Sequence, residues 1–417
     1  MPLGLYVSVP FCRTKCSYCN FASDVFSKSA YENYVARLLE DIASARQLAS
    51  ELGCALGSSL DDSADSIYLG GGTPSILEAA QLLRIFVAVR GQFAVTPDAE
   101  ITVECAPGTL TPVLIETLQQ CGVNRVSLGV QSFVDQEAQS VGRLHKRATV
   151  LEEIDRLRKA GIANINIDLI AGLPHQSEES WAFSVSETIA TGVPHVSVYM
   201  LEVDDDSRLG RELIAGGARY HAHFVPDEDA TADFYEQACQ MLASAGIAQY
   251  EISNFARAAS PPQNNESRHN LKYWTRQPYL GFGVDAHSML AVDRRQAIRF
   301  ATPDSLDAYM NRAPHAVTPV SEQAAIEEYF FLGLRLNRGI DPKSLLKLFK
   351  SCHPERSEGP AVWESAIHQC LQEGLLEQQG TILRLTARGR LLSNEVFARF
   401  LTEEGKEKAG TGHVNPR

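Results

Sequence analysis

The sequence predicts an α/β protein in which parallel strands alternate with helices, followed by a smaller, mainly helical region. Three observations point there. Strand-like and helix-like segments alternate over the first two thirds of the chain. The strand-like runs are short and apolar more than strictly alternating, as expected for strands covered on both faces. After about residue 303 the pattern turns helical, with "EEYFFLGLRL" and "SAIHQCLQEGLL".

In chain order, the strand-like runs are "GLYVSVP" (4–10), "SIYLGGG" (66–72), "EITVEC" (100–105), "RVSLGVQ" (125–131), "NINIDLIAGLP" (164–174) and "HVSVYMLE" (195–202). The helix after the first run places Tyr34, Leu38, Ile42 and Leu52 on one face. Leu82, Leu83, Phe86 and Val87 mark the second helix. Leu114, Ile115 and Leu118 mark the third, with Thr111 as its cap and Pro112 at its first position. Leu151, Ile154 and Leu157 mark another, which Gly161 ends.

Six strand–helix units in series imply crossover connections and parallel strands. They are too few for a full eight-fold barrel, so an incomplete (β/α)6 barrel and an open α/β sheet both satisfy the pattern. Either way, ligands gather at the C-terminal ends of the strands. Residues 53–64 and 257–268 read as polar surface loops, and 351–360 as a polar interruption of the helical region. "GTILRLTARGRLLSNEVFARFL" resembles the hairpin and last helix of a winged-helix-like module, and 403–417 is expected to be a disordered tail.

The 417 residues carry a formal charge of −13, which argues against nucleic acid or an anionic membrane as the main partner. No apolar run reaches the roughly 18 residues that a membrane helix needs, and no signal peptide is read at the start of the chain. The nine cysteines are an odd number, and three crowd into eight residues. That is unlike a secreted disulfide framework, so a reducing cytoplasm is the expected compartment.

Those three are Cys12, Cys16 and Cys19, spaced C-x3-C-x2-C just after the first strand. Structural zinc usually takes four protein ligands, and no histidine or further cysteine lies near; the next is Cys54. A [4Fe–4S] cube on three thiolates leaves one iron open to an exchangeable ligand. The turn "GGGTP" (70–74) ends the second strand, where glycine lets backbone approach a ligand closely. Polar Glu104, Gln131 and Asp168 end the next three strands, on the face where the loop must lie.

C-x3-C-x2-C in this position resembles the radical S-adenosylmethionine (SAM) superfamily. With "YLGGGTPS", "VSLGVQSF", "VGRLH" and "INIDLIAGLP", the chain resembles its oxygen-independent coproporphyrinogen III oxidase-like family over nearly its whole length. Three features look like that family's heme-chaperone branch. Phe21 stands where the oxidases carry a fourth cysteine, little chain precedes Cys12, and "HNLKYW" follows at 269–274. The resemblance implies a partial (β/α)6 radical SAM barrel over 1–255, a linking segment with the H-N-x-x-Y-W motif over 256–303, and a C-terminal, mainly helical, winged-helix-like domain over 304–402.

It further implies Cys12, Cys16 and Cys19 as cluster ligands and Tyr6, Gly71 and Glu104 as contacts of cluster-bound SAM. It implies Tyr18, Gly72, Thr73, Gln131, Arg143 and Asp168 as positions that hold a second SAM in the oxidase. His269 is the expected heme ligand, with His175 and His287 as rivals. The function implied is a heme chaperone with a SAM-ligated cluster, passing heme to an acceptor protein. The alternative is oxygen-independent coproporphyrinogen III oxidase chemistry, so whether the chain is an enzyme stays open. A ferredoxin, flavodoxin or bacterioferritin-like electron donor fits either. Ser8, Ala106 and the pair Val284–Asp285 depart from the family pattern.

Overall fold

The computed structural model describes residues 1–54, 63–259, 264–292, 296–344 and 359–401. Six parallel strands stand side by side in chain order: β1 (Leu3–Val9), β2 (Ser63–Gly71), β3 (Ala94–Cys105), β4 (Arg125–Gln131), β5 (Asn164–Ala171) and β6 (His195–Met200). Between them run α1 (Lys28–Glu51), α2 (Ala79–Gln92), α3 (Pro112–Gln120), α4 (Asp135–Ser140), α5 (Arg147–Lys159) and α6 (Glu178–Thr191). The sheet keeps two edges and does not close, so the six units form a partial barrel.

The strands alternate more strictly than the sequence suggested. Leu5, Val7, Ile67, Leu69, Ile101, Val103, Val126, Leu128, Ile165, Ile167, Val196 and Val198 are all buried and belong to one apolar core. Their neighbours in sequence, among them Tyr6, Tyr68, Glu104, Ser127, Asn166, Asp168 and Ser197, form the other face. Successive side chains of a strand point to opposite faces, so apolar residues meet the helices and polar ones line the barrel interior. Each well-buried aliphatic side chain contributes about 1.5–3 kcal/mol, which lets the inner face be spent on polar groups.

The helices follow their apolar stripes. Tyr34, Leu38 and Ile42 of α1 are buried, and Leu52 packs partly against the same core. In α3, the Thr111 side chain accepts from Leu114 N, with Pro112 at the first position. In α2 the expected Val87 is 70% exposed, and the stripe is Leu82, Ile85, Phe86 and Val89. Five residues beyond Leu82, Val87 lies about 140° round the helix and faces solvent.

After β6 come α7 (Arg208–Ala215) and α8 (Glu228–Ser244). Two short strands extend the sheet, β8 (Asn254–Arg257) antiparallel to β6 and β7 (Ile247–Gln249) antiparallel to β8. The expected linking segment, 256–303, holds more structure than a connector. It contains α9 (Arg268–Trp274), β9 (Tyr279–Phe282) parallel to β1, β10 (His287–Ala291) and β11 (Ala297–Ala301). Helix α10 (Leu306–Met310) and β12 (Ala316–Val320) then complete a sheet of twelve strands. Of the expected loops, 55–62, 260–263 and 351–358 lie outside the described residues, as does the tail; Ser63 and Ala64 already belong to β2.

Helices α11 (Glu322–Gly333) and α12 (Gly359–Gln372), the hairpin β13 (Leu376–Gln379)–β14 (Ile382–Leu385), and α13 (Ala387–Leu391) and α14 (Ser393–Ala398) form the C-terminal region. It has its own core, in which Phe330 stacks on Phe400 with ring centroids 4.7 Å apart. Among the described residues no helix is long and apolar enough to cross a membrane.

Candidate functional site

The cysteine loop leaves β1 at the C-terminal rim, and an aromatic clasp fixes its exit. Phe11 is fully buried, stacked on Tyr31 at 4.1 Å with Phe26 and Tyr34 at its edges. The loop is then tied to several elements. Cys12 N donates to Asp24 O (3.0 Å), Ser17 N to Val141 O (3.2 Å) and Thr14 Oγ1 to Gly142 O (2.9 Å). Lys15 Nζ donates to Phe21 O (2.6 Å) and Ser23 O (2.5 Å), crossing the loop. Phe21 is 40% exposed at its outer edge.

All three cysteines are half-buried and outside any disulfide. Burial pushes the Cys12 and Cys19 thiols up, while the charges of Arg143 and Lys15 respectively oppose it. Cys12 Sγ donates to Ser23 Oγ (3.7 Å) and accepts from Thr73 Oγ1 (3.8 Å). Iron ligation requires thiolates, and these cations and hydroxyls are placed to stabilise them. Among the described residues no group of three or more His, Cys, Asp or Glu converges on one metal-ion position. A cube, whose ligated irons occupy separate corners, asks for thiols spread wider than a single ion does.

Beside the loop, the glycine turn supplies close backbone. A Cβ on Gly72 would lie 2.7 Å from both Val9 O and Phe11 O, and one on Gly71 (φ +97°) 3.4 Å from Tyr6 Oη. Only glycine lets the turn lie against the start of the cysteine loop. Across the rim, Arg143 Nη2 donates to Tyr18 Oη (3.4 Å). A Cβ on Gly129 would sit 3.2 Å from Gln131 Nε2 and 3.3 Å from Arg143 Nη2, so these two side chains meet over β4. Gln131 Oε1 and Arg143 Nε are buried without a hydrogen-bond partner, and Gln131 holds φ +69°. Unpaired buried polar atoms and a strained non-glycine residue at one spot fit a polar ligand there.

Glu104 accepts from Tyr68 Oη (2.8 Å). Its carboxyl is pushed up to about 7, first by burial; Tyr68 opposes this, and the nearby charge of Asp168 adds to it. Asp168 is also pushed up by burial, against hydrogen bonds from Ser127 Oγ (3.0 Å) and Asn166 Nδ2 (2.7 Å). Two carboxyls near enough for the charge of one to act on the other suit a ligand carrying an ammonium group. The structure thus gathers Tyr6, Cys12, Cys16, Tyr18, Cys19, Gly71, Gly72, Thr73, Glu104, Gln131, Arg143 and Asp168 on one rim, although Asp168 lies inside β5, not at its end.

Between an ordinary carboxyl value of 4.5 and about 7, the folded chain holds a proton on Glu104 that the unfolded chain releases. Its charged form therefore costs stability as pH rises through that window. Glu104→Gln should stabilise the ligand-free protein at pH 8 by about 1–3 kcal/mol and be nearly neutral at pH 4.5. Denaturant titration at both values measures this. An equal effect at both pH values would contradict the shift.

Beneath the rim is a small polar cavity of about 20 Å³ that the sequence reading did not anticipate, lined by Tyr68, Ser127, Asn166, Asp168, His195, Ser197 and Tyr199 among others. The signal was available in the alternation of "INIDLI" and "HVSVYM". Helix α9 closes its far end. His269, the expected heme ligand, is 1% exposed, with Nδ1 bonded to Ser66 Oγ (3.1 Å) and Nε2 to Tyr273 Oη (2.8 Å). Its ring lies 5.3 Å from that of Tyr68. A Cβ on Gly4, at the N-terminal end of β1, would meet it at 3.3 Å. Burial and Lys272 push its imidazole down to about 3. With both nitrogens engaged and the barrel floor around it, His269 packs and bridges; it presents no lone pair to an iron.

The radical SAM superfamily matches residues 6–185, which hold every rim residue, and the HemN C-terminal domain matches 320–392. The heme chaperone HemW of Lactococcus lactis subsp. lactis is 33% identical over 97% of this chain and 98% of its own. That of Bacillus subtilis is 31% identical over 95% and 99%. The chain belongs to the HemW family. The solved structure of Escherichia coli coproporphyrinogen III oxidase (HemN), a radical SAM enzyme, shares the fold with a TM-score of 0.78. It is 23% identical over 96% of this HemW-family chain and 90% of that one. Radical SAM membership implies SAM and an iron–sulfur cluster as cofactors, and the donor set on this rim suits them.

Proposed function

We propose that this chain is a heme chaperone: it binds heme, carries a SAM-ligated [4Fe–4S] cluster, and passes heme to an acceptor protein in the cytoplasm. The observation that carries this is likeness along the whole chain to proteins named heme chaperone, at 31–33% identity in two of them. Phe21 in place of a fourth loop cysteine supports it. When bound, the cluster supplies an open iron for the amino and carboxylate groups of SAM and a single electron. Cys12, Cys16 and Cys19 would hold it, and Thr73 would donate to one thiolate. Tyr6, Gly71 and Glu104 would line the SAM amino end. Tyr18, Gly72, Gln131, Arg143 and Asp168 would form a second polar subsite. A ferredoxin, flavodoxin or bacterioferritin-like donor would reduce the cluster.

The test incubates reconstituted protein either with hemin or with coproporphyrinogen III, SAM and a reductant. A stoichiometric Soret band without decarboxylated product supports the chaperone. Absence of hemin binding together with vinyl-group formation would replace it with the oxidase reading.

A further inference from the structure

With His269 engaged in the barrel floor, the heme of the proposed function needs another ligand. Three histidines meet at the rim beside β6. His175 follows β5, and His221 and His223 lie on the loop after α7. His175 Nε2 and His221 Nδ1 are 3.0 Å apart, and the ring of Phe224 lies 4.0 Å from that of His175 and 4.1 Å from that of His223. Phe224 is 47% exposed, and the last turn of α7, which packs on this loop, exposes Leu213 and Ile214 at 47% and 69%. Imidazole nitrogens and large exposed apolar side chains on one short strap are unusual on a surface of this charge.

The strap is built, not loose. Glu212 is buried and accepts from Arg219 N (2.9 Å), Tyr220 N (2.8 Å) and Ala222 N (3.1 Å), which ties the histidine loop to α7. His175 N donates to Phe224 O (3.0 Å). His175 and His221 both hold left-handed backbone, φ +71° and +61°, which non-glycine residues keep only where their surroundings impose it. Helix α7 in turn sits on the cysteine loop: Leu209 N donates to Ser17 O (2.8 Å) and Asn20 Nδ2 to Asp204 Oδ2 (2.8 Å).

We propose, resting on the heme-chaperone reading, that His221 Nε2 ligates the heme iron on this strap. His175 orients it, and Phe224 with the end of α7 covers the porphyrin. When His221 Nδ1 donates to His175, Nε2 keeps its lone pair, and such a partner both aims an imidazole and raises its basicity. The ligand is a heme, not a bare ion, because the described residues offer no three-ligand metal group, whereas heme iron takes four ligands from its porphyrin. Exposed Arg211 and Arg219 flank the strap and suit propionates.

The test titrates hemin into cluster-reconstituted full-length protein. Variants are His221→Gly, His221→Gln and His175→Ala, with His287→Ala as an exposed histidine elsewhere. Iron–sulfur absorbance and far-UV circular dichroism serve as folding controls. His221→Gly should lose the imidazole-type Soret spectrum and regain it with added imidazole, and His221→Gln should weaken binding about tenfold or more without that rescue. His175→Ala should weaken binding less, and His287→Ala should match wild type. If wild type binds hemin and both His221 variants bind it with the same spectrum and affinity, this site is wrong while the chaperone reading stands. If wild type binds no hemin, the chaperone reading itself falls.

Discussion

Replacing any one of Cys12, Cys16 and Cys19 with alanine is expected to abolish cluster assembly. Anaerobic reconstitution of wild type should yield about four irons and four sulfides per chain, with broad thiolate-to-iron absorption, and each variant should yield close to none. The effect is all-or-none because the loop offers only three thiols and its surroundings are already committed. Lys15 is bonded to backbone carbonyls, and Thr73 and Ser23 to Cys12. Cys54, Cys105, Cys121 and Cys370 are buried and lie outside the loop's sequence, and their alanine variants, with those of Cys239 and Cys352, should retain full iron. Adding SAM should perturb the EPR spectrum of the reduced wild-type cluster. Stoichiometric zinc in place of iron, or full iron in a Cys16→Ala chain, would falsify the assignment.

The second large effect is on stability. Arg335→Ala should destabilise the chain by about 3 kcal/mol at pH 8, because it strands a buried carboxylate. Glu251 is fully buried, and Arg335 Nη2 lies 3.7 Å from its Oε2, while the guanidinium sits 4.2 Å over the Trp274 ring. This pair joins the C-terminal region to the barrel, next to the bridge between Glu251 and Leu336 and the bond from Asn337 N to Tyr250 O (2.9 Å). Burial already pushes the Glu251 carboxyl up, against Arg335. A raised folded-state value means the charged form costs stability as pH rises, so the loss in Arg335→Ala should shrink on acidification towards pH 5. Denaturant unfolding of the variant, and of Arg335→Ala with Glu251→Gln, measures it. A loss below about 1 kcal/mol at pH 8, unchanged by the second substitution, would show that the pair carries little.

How much could be read before folding varied with the range of the interaction. Thr111 capping Leu114 and the apolar stripe of α1 depend on residues a few positions apart, and both were legible. Val87 was misplaced by one helical position because a run of apolar residues does not say which of them faces inward. The segment 256–303 looked like a connector because its strands are only four or five residues long, too short to show a period of two.

The sequence by itself determined the cysteine loop, the run of six strand–helix units and the family. Each is written in local spacing: C-x3-C-x2-C, glycines at a strand end, strand–helix alternation. The tertiary structure alone decided where the histidines stand and what they touch. His269 bonds to Ser66, 203 residues away, and is sealed under the barrel. His175 and His221 are 46 residues apart and meet ring to ring at the rim. An imidazole binds iron only if one nitrogen keeps its lone pair and faces an open space, and both conditions are set by neighbours that are distant in the chain.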